Sequence, residues 1–192
     1  NIGGESQAID MATTAENVRE EICRLLETDL PAQLDTEEAL WSDGIVLEDL
    51  RDVYRGEPEG VPEFPAASVR FAGIRQVQHQ VAGGRRYEFW NFQVELYIAG
   101  NANLAVSGRT WSEVLEIKVT RYHQAVIDML SKAANIHLYG TSSTSPGSRA
   151  VASQVTGSQI SPTFGLPGGS QGGLFMRAAR INLVVQSLKQ GP

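Results

Sequence analysis

The clearest pattern in the chain is a strand-like alternation over 87–98. Trp90, Phe92, Val94, Leu96 and Ile98 point to one face, and Glu88, Asn91, Gln93 and Glu95 make much of the stretch alternate with polar groups. Tyr87, Phe89 and Tyr97 lie on the other face, which is therefore not fully polar and offers a surface to another subunit. Upstream, Ala67, Val69 and Phe71 alternate with polar or small residues, and Gly73 is placed to break or bulge that strand. Residues 74–81 continue extended. Ala82, Gly83 and Gly84 then signal a tight turn, with Arg85 and Arg86 just beyond it.

Two helices carry a different period. Val18, Ile22, Leu25 and Leu26 form an apolar stripe that predicts a helix over 14–28, with Thr13 and Glu16 as a capping box and Leu30-Pro31 as its end. A long helix is expected over 109–135. There Trp111, Leu115, Val119, Tyr122, Val126 and Leu130 recur at steps of three or four. Burying each such side chain is worth about 1.5–3 kcal/mol before entropy is counted. Between the first helix and the sheet, 35–66 reads as two short turns, at 35–41 and 47–54. An acidic connection follows, containing Pro58, Pro62 and Pro65.

After the long helix, Ile136, Leu138 and Tyr139 suggest a short strand. Residues 140–173 then break the pattern, with eight of the nineteen glycines, eight serines and a single charge, Arg149. So long a stretch of this composition suggests an extended loop or arm, with Val151, Val155 and Ile160 as attachment points, possible as an extended hairpin. Its deletion is expected to leave a folded monomer and weaken assembly. A last strand is expected over 174–188, with Phe175, Ala179, Ile181, Leu183 and Val185 on one face. The fold class expected is α+β: a mainly antiparallel sheet with the N-terminal helix and the long helix packed on one face, plus the Gly/Ser-rich excursion. Residues 1–13 are expected to be a flexible arm before a single domain over 14–192; they lack the basic head and apolar stretch of a signal peptide.

Charge sharpens this picture. The 192 residues carry 16 Lys and Arg against 22 Asp and Glu, a net charge of −6 that argues against a general nucleic-acid binder. Residues 1–65 hold 17 of the acids and only Arg19, Arg24, Arg51 and Arg55, whereas 66–192 hold five acids and twelve bases. The acidic part is thus suited to face something in particular, such as the basic part of a neighbouring copy, or simply solvent. No apolar run approaches the ~18 residues of a membrane span.

Candidate chemistry is sparse. The single cysteine, Cys23, excludes an internal disulfide and a cysteine-built zinc site, and it sits beside the first helix's stripe as a packing residue. His79, His123 and His137 show neither HxxxH nor HExxH spacing, so no metal or other cofactor is expected. The glycine-rich run at 165–173 lacks the GK[ST] ending of a phosphate loop and the GxSxG of a nucleophile elbow. Glu113 and Glu116, one turn apart on the long helix, read as a solvated face. Arg70, Arg75, Arg85 and Arg86 cluster around one hairpin beside Tyr87, Phe89 and Trp90, a combination able to bind single strands. An equally simple reading has those arginines meet an acidic neighbour.

Four pieces in order carry a resemblance. Leu25 to Pro31 closes the first helix, and Phe64-Pro65-Ala66-Ala67-Ser68-Val69 leads into the first strand like a "PAxxV" stretch. The alternating strand at 87–98 follows, and Arg121 to Leu130 is similar to a "YxxAIxxxL" stretch on the long helix. Together they cover about 14–139, and the chain resembles the tail terminator and tail-completion (neck) proteins of long-tailed bacteriophages. The resemblance implies a non-catalytic virion protein, assembled in the host cytoplasm. It would form a ring, usually of six copies, that caps the tail tube, stops its growth and joins the tail to a head-side connector or stopper. DNA would pass through without specific binding. Interface candidates are Arg85 and Arg86 at the hairpin tip, with Arg149, Val151 and Val155 in the excursion. The acidic stretch and the excursion depart from the family pattern, so another head–tail connector, neck or adaptor protein is the nearest alternative. A small enzyme built on the histidines and a nucleic-acid-binding module are the readings from other classes.

Overall fold

The computed structural model describes residues 15–81, 85–100, 104, 106, 108–132, 149–165 and 174–190; for 76–81, 85, 86, 132, 149–152, 164, 165 and 187–190 it describes the backbone. The elements run α1 (Ala15–Thr28), α2 (Leu30–Trp41), β1 (Asp52–Tyr54), β2 (Ala66–Val81), β3 (Arg85–Gly100), α3 (Trp111–Lys132), β4 (Arg149–Ile160), β5 (Phe164–Gly165) and β6 (Phe175–Gln190). They make an α+β fold around one mixed sheet of order β1-β2-β3-β6-β4, with β5 also paired to β6. Every pairing is antiparallel except β1 with β2.

The alternation read in β3 is the alternation observed. Trp90, Phe92, Val94, Leu96 and Ile98 are all buried, as are Ala179, Ile181, Leu183 and Val185 of β6 beside them. Onto this face pack Val18, Ile22, Leu25 and Leu26 of α1, Leu30 and Leu34 of α2, and Leu115, Val119, Tyr122, Val126 and Leu130 of α3. α1 lies against β1 and β2, α3 against β3, β6 and β4, and α2 bridges the two helices. Trp111 stacks on Phe175, ring centroids 4.2 Å apart, which fastens the start of α3 to the start of β6. Gly73 marks a bulge: the β2–β3 register shifts between Phe71 and Gly73, and Gly73 has φ +125°.

Several local expectations change. Pro31 does not end helical structure; it opens α2, where a first-turn proline gives up an N–H that has no intrahelical partner anyway. The turn expected over 35–41 is therefore the body of a twelve-residue helix. The second turn, over 47–54, is extended instead and ends as β1, parallel to β2, with the Arg51 amide donating to the Pro65 carbonyl at 2.7 Å. The start of the long helix is set by a capping box that the sequence reading overlooked. The Thr110 amide donates to Glu113 at 2.7 Å, and the Glu113 amide returns to the Thr110 hydroxyl at 3.4 Å. Glu113 is thus a cap as well as a solvated side chain.

Within the stretch expected to be an excursion, 149–160 is a strand, hydrogen-bonded along β6 from Arg149 opposite Leu188 to Ile160 opposite Ala179. Val155 and Ile160 pack on the core from there. That twelve-residue piece belongs to the sheet, so deleting 141–173 would strip an edge strand as well as any arm. Residues 161–165 continue that piece to β5, and 140–148, 166–173, the N-terminal arm with Thr13, the turn at 82–84 and the short strand at 136–139 lie outside the described residues. Among the described residues, no helix is long and apolar enough to cross a membrane.

Candidate functional site

The interface candidates converge through backbone pairing. Arg85 and Arg86 open β3, opposite Val81 and Gln80 on β2 and opposite Gln190 and Lys189 on β6. Arg149 opens β4 opposite Leu188. The register therefore sets Arg85, Arg86, Lys189 and Arg149 at one end of three neighbouring strands. Val151 falls at the irregularity between Ala150 and Ala152. The side chains of Arg85, Arg86, Arg149 and Val151 lie outside the described residues. Val155 is half-buried and rests on the core. Sequence spacing could not bring hairpin and excursion together, because the pairs that do so at this end, Arg149 with Leu188 and Arg85 with Gln190, lie 39 and 105 positions apart.

The charge division read in the sequence maps onto the fold. Residues 15–65, which form α1, α2, β1 and their connections, carry fifteen acids and four arginines. From 129 to 192, the stretch that holds β4, β5 and β6, no acid occurs. Within the acidic part β1 forms one edge of the sheet and α1 packs on β1 and β2, whereas α2 packs on α3 and α1; the acid-free strands β6 and β4 lie toward the other edge.

The sheet face away from the helices carries a polar network across three strands. Glu95, 12% exposed, is its hub. It accepts from Arg180 Nε at 2.6 Å, Arg70 Nη2 at 3.3 Å and the Tyr97 hydroxyl at 2.9 Å. Arg70 also pairs with Glu57 at 3.2 Å and donates to Gln93 at 2.8 Å, and Gln93 donates to Asn182 at 3.2 Å. Burial raises the Glu95 pKa, but the hydrogen bonds from Tyr97 and Arg180 and the charges of Arg180 and Arg70 outweigh it, leaving the carboxyl below its ordinary value. Arg70, one of the four arginines that suggested nucleic-acid binding, is thus already engaged by two carboxylates. Glu88, read as part of the polar alternation, lies instead on the core face, where it accepts the Trp90 indole N–H at 3.2 Å.

A second cluster fixes the end of α2. Ser42 ends the helix in the left-handed region, φ 46°, and turns the chain so that Asp43 faces α3. Asp43 accepts from Arg121 at 2.7 and 3.0 Å, from Arg109 at 2.6 Å and from the Ile45 amide at 3.2 Å. The bonds from Arg121 and then Arg109 hold its carboxyl well below the usual carboxylate range. Arg121, only 6% exposed, lies 5.2 Å from the centre of the Trp41 ring. The Leu47 amide donates to Glu38 and draws the following segment back along the last turn of α2. Around this cluster Leu40, Trp41 and Val46 are 72%, 57% and 58% exposed. The sequence placed Trp41 only at the end of a short turn; the signal available was an apolar pair, Leu40-Trp41, closing an acidic segment.

Of the candidate reactive groups, Cys23 and His123 lie among the described side chains. Burial pushes the Cys23 thiol up to about 11, away from reactivity. Burial also lowers the His123 pKa, and the buried Nε2 of that residue has no partner among the described residues. The side chains of His79 and His137 lie outside the description. No cluster of three His, Cys, Asp or Glu able to hold a metal ion is found among the described residues. A shallow cleft of about 410 Å³ beside β1 is lined by Leu26, Pro31, Leu50 and Val53, with Glu27 and Arg55 at its rim. Arg55 is committed there to Glu20 at 2.7 Å and Glu27 at 3.2 Å.

No protein-family model matches the chain, and no curated protein matches it.

Proposed function

We propose that this chain is a structural protein of a bacteriophage virion, a tail terminator whose copies form a ring, of six by the family's habit. The ring caps the tail tube, ends its growth and meets a head-side connector or stopper. The observation that carries the proposal is the layout of charge: residues 15–65, with fifteen acids, supply the β1 edge of the sheet, and the stretch from 129 on, with none, supplies the β4 edge. A head-to-tail ring needs two different surfaces on each subunit that attract each other, and opposite charges on opposite sides supply them. The order α1, β2–β3 hairpin, α3 is also the order of pieces on which the resemblance rests. An acidic lining would let DNA slide, whereas a basic one would grip phosphates with salt-sensitive strength.

The test is the solution mass of the purified protein by light scattering, across concentration and salt and with purified tail tubes added. A closed ring, alone or on tubes, is the expected result. A strict monomer that associates with neither tubes nor neck proteins would refute the proposal. Rings that bind head-side connectors and ignore tubes would move the protein to the head-side adaptor position.

A further inference from the structure

We infer that the β4 edge of one copy pairs with the β1 edge of the next, so that the ring is built by continuing the sheet from subunit to subunit. The inference rests on the ring reading and names the two surfaces that join its copies.

Four observations lead to it. First, the sheet has two edges open to a further strand: among the described residues β1 pairs only with β2, and β4 only with β6. Edge strands usually refuse partners by means of charge, proline or bulges. β4 has two register irregularities, but its residues 150–160 carry neither charge nor proline, and Gln154, Thr156, Ser158 and Gln159 are exposed along it. Second, the core reaches both edges without being closed there. Leu50 and Val53 at one edge, and Val155 and Ile160 at the other, pack on the core but stay half-buried. The cleft of about 410 Å³ at the β1 edge is lined from α1, α2 and 49–55, and a strand added to β1 would turn alternate side chains toward it. Third, the directions match. β1 runs parallel to β2, and the steps β2–β3, β3–β6 and β6–β4 are each antiparallel, so β1 and β4 run in opposite directions. Rotation about a ring axis along the strands keeps every strand's direction. β4 then meets the next copy's β1 antiparallel, the pairing that is slightly more stable per residue. Fourth, the surroundings of β1 select its partner. Glu27, Asp49 and Asp52 are exposed at the cleft, so an added strand must be free of acids. β4 is free of them and a second β1 is not. The two edges are different surfaces of one molecule, so their contact is head-to-tail and repeats from copy to copy.

The experiment uses the full chain, in which Cys23 is buried and so spared by thiol reagents. Tyr54→Cys is mixed with Gln154→Cys, and separately with Gln159→Cys, under conditions of assembly. A short bismaleimide linker is added, and linked peptides are identified by mass spectrometry. A link from 54 of one copy to 154 or 159 of another is expected. In parallel, the double variants Gln154→Glu/Thr156→Glu and Gln154→Lys/Thr156→Lys are assayed for association by light scattering and for folding by thermal melting. The glutamates would face Asp49 and Asp52 and should weaken association about tenfold, whereas the lysines should leave it within about threefold of wild type, with both proteins folded. If wild-type rings form without either link, or if the two double variants weaken association equally, the inference fails and the ring reading stands. Links between position 154 or 159 of two copies, with none to 54, would mean that β4 pairs with itself and would also overturn it. If the wild type stays monomeric with and without tail tubes, both fail.

Discussion

Replacing Glu95 with glutamine removes one charge from the centre of the open sheet face and leaves the shape almost unchanged. Glutamine can still accept the Tyr97 hydroxyl, so the loss is confined to the two arginines that Glu95 holds at 2.6 and 3.3 Å. A hydrogen bond to a charged group contributes about 1.5–3 kcal/mol when sheltered, and an exposed pair about 0.2–1 kcal/mol. Glu95 is sheltered, but Arg180 is 41% exposed and Arg70 keeps Glu57 and Gln93, so the expected cost sits low in that span, at about 1–2 kcal/mol. In a chain of this length that corresponds to a fall in melting temperature of about 3–6 °C. The pH dependence provides an internal control. The folded pKa of Glu95 is lowered, so its contribution is fully present above the unfolded value of about 4.3 and is lost as pH falls through the folded pKa. Urea unfolding of wild type and Glu95→Gln should therefore give a constant difference from pH 8 to about pH 5 that shrinks steadily at lower pH. A difference below about 0.3 kcal/mol at pH 7, or one unchanged in acid, would show that the network contributes nothing through charge.

Other substitutions probe the framework. Gly73→Val places a branched side chain at φ +125°, where space is open but the backbone is not, and should cost about 1–3 kcal/mol in urea unfolding; a neutral result would mean that the bulge relaxes. Thr110→Ala removes one half of the capping box of α3 and should cost about 1 kcal/mol, with Thr110→Ser restoring most of it. Cys23, buried with its thiol pushed up to about 11, should resist a disulfide reagent at pH 8 and react at the rate of unfolding; rapid labelling of the native protein would contradict its place in the core.

What could be read from the sequence, and what could not, follows from the range of the forces involved. The stripes of α1 and α3 and the faces of β3 and β6 were legible because periodicity reports directly on which side of an element is buried. Gly73 was legible because a strand interior rarely carries a glycine without a reason. Pro31 misled because a proline that ends one helix can equally begin the next, and only the dihedrals tell the two apart. β4 was hard to see because Ala, Ser, Gln and Thr give no hydrophobic alternation; its strand character comes from pairing with β6, a long-range fact. The Asp43 cluster was invisible for the same reason: Asp43 meets Arg109 and Arg121 across 66 and 78 residues. The two polar networks depend on such distant partners, and motif spacing carries no trace of them.

The position of β6 has a consequence for how the molecule comes into being. It follows every other described element in the chain, yet it lies inside the sheet, with β3 on one side and β4 on the other. As the polypeptide emerges from the ribosome, the β2–β3 hairpin and the helices can gather, but β3 must wait with an unpaired edge. β4 has no strand to join until β6 has been made. Completion of the sheet is thus a late, long-range event, the kind that is slow and leaves a sticky edge exposed in the meantime. It is also the event that sets Arg85 and Arg86 beside Lys189 and Arg149. A nascent or truncated chain without β6 would display the acidic segment while one edge of β3 stayed unpaired and β4 had no strand to join.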